Sequence, residues 1–221
     1  MATIAPARPK VTSPPPSGMP PLHRITVDEY ERIIRSGALE NPSRIELIDG
    51  YMVDKMGKNA AHRYTTKETL KALDSRLPAG WTSQKEDSVR IPTYDEPEPD
   101  IAIIRGTDAD YEFRLPTAAD VALLVEVSEA TLSQVRSKKL SAYAKAKIPV
   151  YWIINLVDRQ VEVFSRPGKN GYRSHQVFTS GEQVPVTIGG QELPPISVES
   201  LLPRLKPSKG KGRPKVDTPH G

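Results

Sequence analysis

The hydrophobic pattern changes period several times between residues 22 and 203, and each change marks an element. Thr26-Val27-Asp28-Glu29 has the form of a capping box, with Ile25 and Tyr30 at the two staple positions. Ile33 and Ile34 continue the apolar face of the helix it opens, and Gly37 suits the helix end. Two short runs, Arg44-Ile45-Glu46-Leu47-Ile48 and Tyr51-Met52-Val53, flank Asp49-Gly50, a dipeptide that favours a two-residue hairpin turn. Residues 59–77 return to helical spacing, with Leu70, Leu73 and Leu77 on one side and Pro78-Ala79-Gly80 as the stop. Residues 81–91 read as a strand and residues 92–99 as a turn-rich stretch.

Two further runs, residues 101–104 and 121–127, are apolar enough on both faces to be central strands. The polar residues 105–120 between them read as a loop, and residues 133–147 as a helix. Residues 150–156 form another buried strand, which Asp158-Arg159 turns into an alternating run over residues 160–165. Residues 172–178 and 184–188 add outer strands, and residues 197–202 a short last helix. This succession predicts an α/β domain built on a mixed central sheet.

Acidic residues stand at the ends of the two central runs. Pro99-Asp100 opens the first and Glu126 closes the second, so the two carboxylates lie level if the strands are antiparallel. In the next helix Val135, Lys139, Ala142 and Ala146 recur at helical spacing, with Leu132 and Tyr143 adjoining. Lys138, Ser141 and Lys145 share a polar face, so Lys139 is directed inward and Lys138 toward solvent. Two carboxylates and an ammonium at one sheet edge can hold a divalent cation and a water, as phosphodiester hydrolysis requires. Each residue also has an ordinary reading. Asp100 could simply start a strand, Glu126 pair with an arginine, and Lys139 extend its ammonium to the edge of the core. Glu46, between apolar neighbours, could face solvent by alternation.

Composition narrows the classes. With 221 residues the chain suits one domain with appendages. It has no cysteine, which excludes disulfides, thiolate zinc sites and cysteine nucleophiles, and its four scattered histidines argue against a histidine-only metal site. No apolar stretch approaches the roughly 18 residues of a membrane span, and residues 1–21 lack the apolar core of a secretory signal. A cytoplasmic protein without membrane contact is expected. Seven prolines in residues 1–21 predict a disordered leader, and the Lys/Gly/Pro-rich residues 204–221 a disordered basic tail. The leader carries +2 and the tail +5, so a total of +4 leaves −3 for residues 22–203. The body therefore shows no global excess of positive charge for a duplex.

Pro99-Asp100 followed by Glu126-Val127-Ser128 resembles the PD-(D/E)-x-K signature of restriction-endonuclease-like proteins, with Ser128 where the lysine is expected. More closely, the chain resembles the Uma-two family of restriction-like endonucleases, widespread in bacteria. The resembling segments are Arg44-Ile-Glu-Leu-Ile-Asp-Gly50, Glu96-Pro-Glu-Pro-Asp-Ile-Ala-Ile-Ile104, Val125-Glu-Val-Ser128, Lys139-Leu-Ser-Ala-Tyr-Ala144 and Ile148-Pro-Val-Tyr-Trp-Ile153. The resemblance implies a restriction-endonuclease-like mixed central sheet flanked by helices, with additional β-hairpins, and a metal-dependent endonuclease acting on DNA. It implies Asp100, Glu126 and the Val127 carbonyl as ligands of Mg²⁺ (or Mn²⁺), Glu46 as an accessory acid, and Lys139 in place of the lysine missing at Ser128. It also implies an approach of His62 to the phosphate. Cutting both strands would favour a homodimer. Val135 and Val150 stand where the family commonly has acids, which, with the acidic body, favours one alternative, a non-catalytic nucleic-acid or protein-binding module; the other alternative is a metal hydrolase acting on a different phosphate ester.

Overall fold

The computed structural model describes residues 22–55, 57–129 and 133–204, and the side chains of these except residues 133–136. The expected leader, the expected tail beyond Arg204, Leu132 and the Val135 side chain lie outside the described residues.

Helix α1 (Val27–Ser36) begins on the Thr26 capping box, whose hydroxyl accepts from Glu29 N while the Glu29 carboxylate accepts from Thr26 N. It ends on Gly37 in the left-handed region (φ 70°). Strands β1 (Ile45–Ile48) and β2 (Tyr51–Asp54) form an antiparallel hairpin. Asp49 and Gly50 both take positive φ at its turn, as a type I′ connection demands. The hairpin stands apart from the central sheet. β1 is anchored by paired backbone bonds between Leu47 and Glu96, and α1 packs on it through Val27, Tyr30 and Leu47.

The central sheet has six strands in the order β3 (Trp81–Lys85), β4 (Ile101–Arg105), β5 (Val121–Ser128), β6 (Val150–Asn155), β7 (Gln160–Gly168) and β8 (Gly171–Phe178). Only β5 and β6 run parallel, and helix α3 (Ser133–Lys145) makes the crossover between them. Helix α2 (Ala60–Asp74), capped by the Asn59 side chain, covers one face through Leu73. Strands β9 (Gln183–Ile188) and β10 (Gln191–Ser197) and the short helix α4 (Val198–Leu201) close that face. The other face packs Tyr143 and Ile148 against Leu124, Tyr151, Ile153 and Phe164. The architecture is a mixed central sheet flanked by helices, with extra hairpins, as expected.

Three local expectations change. The strand expected over residues 81–91 stops at Lys85, because its ladder partner Ile101 is the first residue of β4 and Glu86 turns away with φ 57°. β10 is an addition, hidden in the sequence by Pro194 and Pro195, which fall where the register against β9 shifts. The loop over residues 105–120 contains a single 3₁₀ turn, Asp108–Tyr111, with its own capping box from Thr107.

Candidate active site

The antiparallel register of β4 and β5 pairs Ile101 with Val125. Asp100 and Glu126, one residue further along each strand, are therefore neighbours at the same end of the sheet. Asp100 Oδ2 accepts the Val127 backbone N–H at 2.8 Å, which lays this carboxylate over the Glu126–Val127 peptide.

Lys139 reaches the same place from α3. Its Nζ lies 2.9 Å from Glu126 Oε1 and 2.9 Å from Glu46 Oε2. Its side chain is only 9% exposed, so the helical stripe does direct it inward. One turn on, Tyr143 donates its hydroxyl to Glu126 Oε1 at 3.1 Å. Glu46 is buried, because β1 has covered sides both ways: Leu47 faces α1 and Glu46 faces α3. Alternation on a strand leaves a residue in solvent only where one face is open. Glu46 Oε2 also accepts the Glu98 backbone N–H at 3.0 Å.

His62, in the first turn of α2, is buried rather than on the surface. Its Nε2 is 3.1 Å from Asp100 Oδ2, and its Nδ1 is 3.4 Å from Thr66 Oγ1. Glu129, just past β5, accepts from the His62 backbone N–H at 3.0 Å and from the Asn59 side chain, fixing the start of α2 beside the acids. Lys138 projects outward, as its polar face implies, and meets the Asp49 carboxylate at 3.3 Å across the Tyr51 ring.

Two site groups escaped the sequence reading. Lys58, in the short connection before α2, places Nζ 2.9 Å from Asp100 Oδ1. No periodicity marks it, since it belongs to neither helix nor strand. Tyr143 looked like part of the apolar stripe; its hydroxyl end was the only signal of a polar role.

Electrostatics follow from this packing. Burial raises the Glu126 carboxyl to about 7; Lys139 opposes the shift, and the nearby Asp100 and Glu46 charges reinforce it. Burial alone would lower the Lys139 ammonium, but Glu126 and Glu46 outweigh it and hold the group protonated. Burial would likewise raise Asp100, yet the hydrogen bond from His62, the Lys58 charge and the Val127 N–H keep it below the ordinary range. Among the described residues, no group of three or more His, Asp and Glu side chains is arranged to hold a metal ion. Protein donors already occupy the carboxylates: Lys58, His62 and Val127 N–H on Asp100, Lys139 and Tyr143 on Glu126.

A family model described as "Uma2: Putative restriction endonuclease" matches residues 27–197, a span that contains every residue of this cluster. The chain belongs to the Uma2 family. This places it in the PD-(D/E)XK nuclease superfamily and supports a nuclease-like function in general terms. Among solved structures it is similar to "a putative nuclease belonging to DUF820" from Anabaena variabilis ATCC 29413. That likeness has a TM-score of 0.61 at 19% identity, covering 80% of this chain and 97% of the other, and it bears on the fold. No curated protein matches the chain. No helix among the described residues is long and apolar enough to cross a membrane.

Proposed function

We propose that this Uma2 protein is a metal-dependent endonuclease that hydrolyses phosphodiester bonds in DNA, with Asp100, Glu126, Lys139 and Glu46 as its catalytic group. The observation that carries this reading is the Lys139 ammonium, 2.9 Å from both Glu126 and Glu46, beside an Asp100 that the β4–β5 register sets level with Glu126.

The donor chemistry fits Mg²⁺ or Mn²⁺, which prefer hard carboxylate and carbonyl oxygens. Burial is the largest cause of the upward shift of Glu126, and the Asp100 and Glu46 charges add to it, a repulsion that a dication would relieve. Asp100 and Glu126 would hold the ion. The Val127 carbonyl is a third candidate oxygen, because the N–H and C=O of one strand residue project to the same side and this N–H points to Asp100. When bound, the ion would polarise the scissile phosphate and lower the pKa of a water. Lys139 would orient the attacking oxygen and offset charge gathering on the phosphoryl group. Glu46 holds that ammonium in line, and Tyr143 fixes the Glu126 carboxylate. His62 steadies Asp100 through Nε2; a phosphate contact from it would require that bond to be exchanged. A symmetric dimer would bring one such site to each strand.

The test compares the parent with Asp100→Asn and Glu126→Gln. Each variant is expected to lose Mn²⁺ binding by calorimetry and to cleave duplex DNA at least about a hundredfold more slowly, with an unchanged circular dichroism spectrum. Undiminished cleavage by Asp100→Asn would sink the assignment. Cleavage confined to small phosphodiesters would move the protein to the hydrolases of other phosphate esters. The absence of Mn²⁺ binding by the parent would favour the binding-module reading, which the engagement of Asp100 and Glu126 Oε1 by protein donors also supports.

A further inference from the structure

Asp100 is almost fully enclosed, and its carboxylate takes three donor contacts. Oδ2 takes the Val127 N–H at 2.8 Å and lies 3.1 Å from His62 Nε2. Oδ1 takes Lys58 Nζ at 2.9 Å. These donors differ in their freedom to leave. The Val127 N–H is part of β5, and the His62 ring is buried with its other nitrogen on Thr66. Lys58 alone approaches on a flexible stem, from the connection that contains Gly57 and precedes the Asn59 cap, and its side chain is 24% exposed. It also has an alternative partner. Glu86 Oε1 lies 3.4 Å from the same Nζ and is more exposed than Asp100, at 34% against 4%.

We propose that Lys58 is the resident counter-ion of Asp100, which a divalent cation exchanges for itself while the displaced ammonium passes to Glu86. Charge balances in the exchange: the dication takes up the carboxylate, and the lysine stays paired. Lys58 thus acts as a built-in competitor that sets how much Mg²⁺ or Mn²⁺ the site requires. It is a positioning residue, not a member of the catalytic group, and its role rests on the reading of Asp100 as an ion ligand.

Mn²⁺ titration of the full chain by calorimetry tests this in the parent, Lys58→Met, Lys85→Met and Asp100→Asn. Lys85 is the control, because it reaches the same Glu86 oxygen at 3.4 Å without an ion pair to Asp100. Lys58→Met is expected to bind Mn²⁺ about tenfold more tightly than the parent, and Lys85→Met within about twofold of it. Equal tightening in both lysine variants would reveal a general charge effect and overturn the exchange. If the parent binds Mn²⁺, Asp100→Asn does not, and Lys58→Met is unchanged or weaker, the inference on Lys58 fails while the nuclease reading stands. Absence of Mn²⁺ binding in both the parent and Lys58→Met would overturn both. Binding by Lys58→Met alone would support the exchange in its strongest form, with the lysine fully excluding the ion.

Discussion

At the scale of single residues, burial and partnership decide which acids are chemically available. Asp100, Glu46 and Glu126 all sit against cations, so their charges are compensated where they are enclosed. Glu96 is different. It is 5% exposed, and among the described residues its Oε2 is buried without a hydrogen-bond partner. Burial, then Glu31, raise its carboxyl to about 7 from the ordinary 4.5, against the opposing pull of Arg90 and Arg35. Below the ordinary value, both folded and unfolded chains hold the proton. As pH rises from there through about 7, the unfolded chain releases it first, and folding loses stability up to about 3 kcal/mol. Glu96→Gln should flatten that decline, which urea melts at about pH 5 and about pH 8 would measure. An unaltered pH dependence would mean that Glu96 is not the group responsible. Neither the enclosure of Glu96 nor that of Glu46 could be read from the chain, because each depends on a neighbour supplied from elsewhere: α1 and Arg90 in one case, α3 in the other.

At the scale of elements, local signals carried most of the architecture. The capping box of α1, the Asp49-Gly50 turn and the apolar runs of β4, β5 and β6 were all visible as patterns, since each arises from residues close in sequence. The turn also joins the hairpin to the segment before α1. Gly50 takes φ 77°, its carbonyl accepts the Ile25 N–H at 3.0 Å, and an added Cβ would meet Arg24 Cβ at 2.7 Å and Ile25 O at 3.1 Å. Gly50→Ala should therefore cost about 1–3 kcal/mol and reduce cleavage, because displacing β1 displaces Glu46. Thermal melts and DNA cleavage assays would check this; an unchanged melting temperature would count against the close approach. Strand ends were harder to read. The length of β3 is set by its partner ladder, not by its own residues, and the prolines of β10 argue against a strand unless the ladder is irregular there.

At the scale of the molecule, the excess of acid in the body is concentrated and answered locally. Lys55 pairs with Glu98, Lys58 with Asp100 and Glu86, and Lys139 with Glu46 and Glu126, so cations gather around the buried acids. Among the described residues, the core clusters draw on residues from Val27 to Leu202. If residues 1–21 and 205–221 lie outside the core, as their composition leads one to expect, a chain reduced to residues 22–204 melts within about 2 °C of the full protein. If the basic ends add nonspecific phosphate contacts, its DNA affinity will fall at low salt and depend less steeply on salt concentration. A large loss of stability would show that the core extends into those ends.

The chain by itself determined the order of elements, the positions of Asp100 and Glu126 at the ends of their apolar runs, and the inward face of Lys139. These follow from period and spacing, which are local quantities. Only the tertiary structure decided that β4 and β5 pair antiparallel, that Glu46 and Lys139 meet, that His62 and Lys58 converge on Asp100, and that burial raises the Glu126 carboxyl. Those outcomes depend on distances between segments far apart in sequence. Such distances are fixed when the hairpin, α2 and α3 close around one end of the sheet.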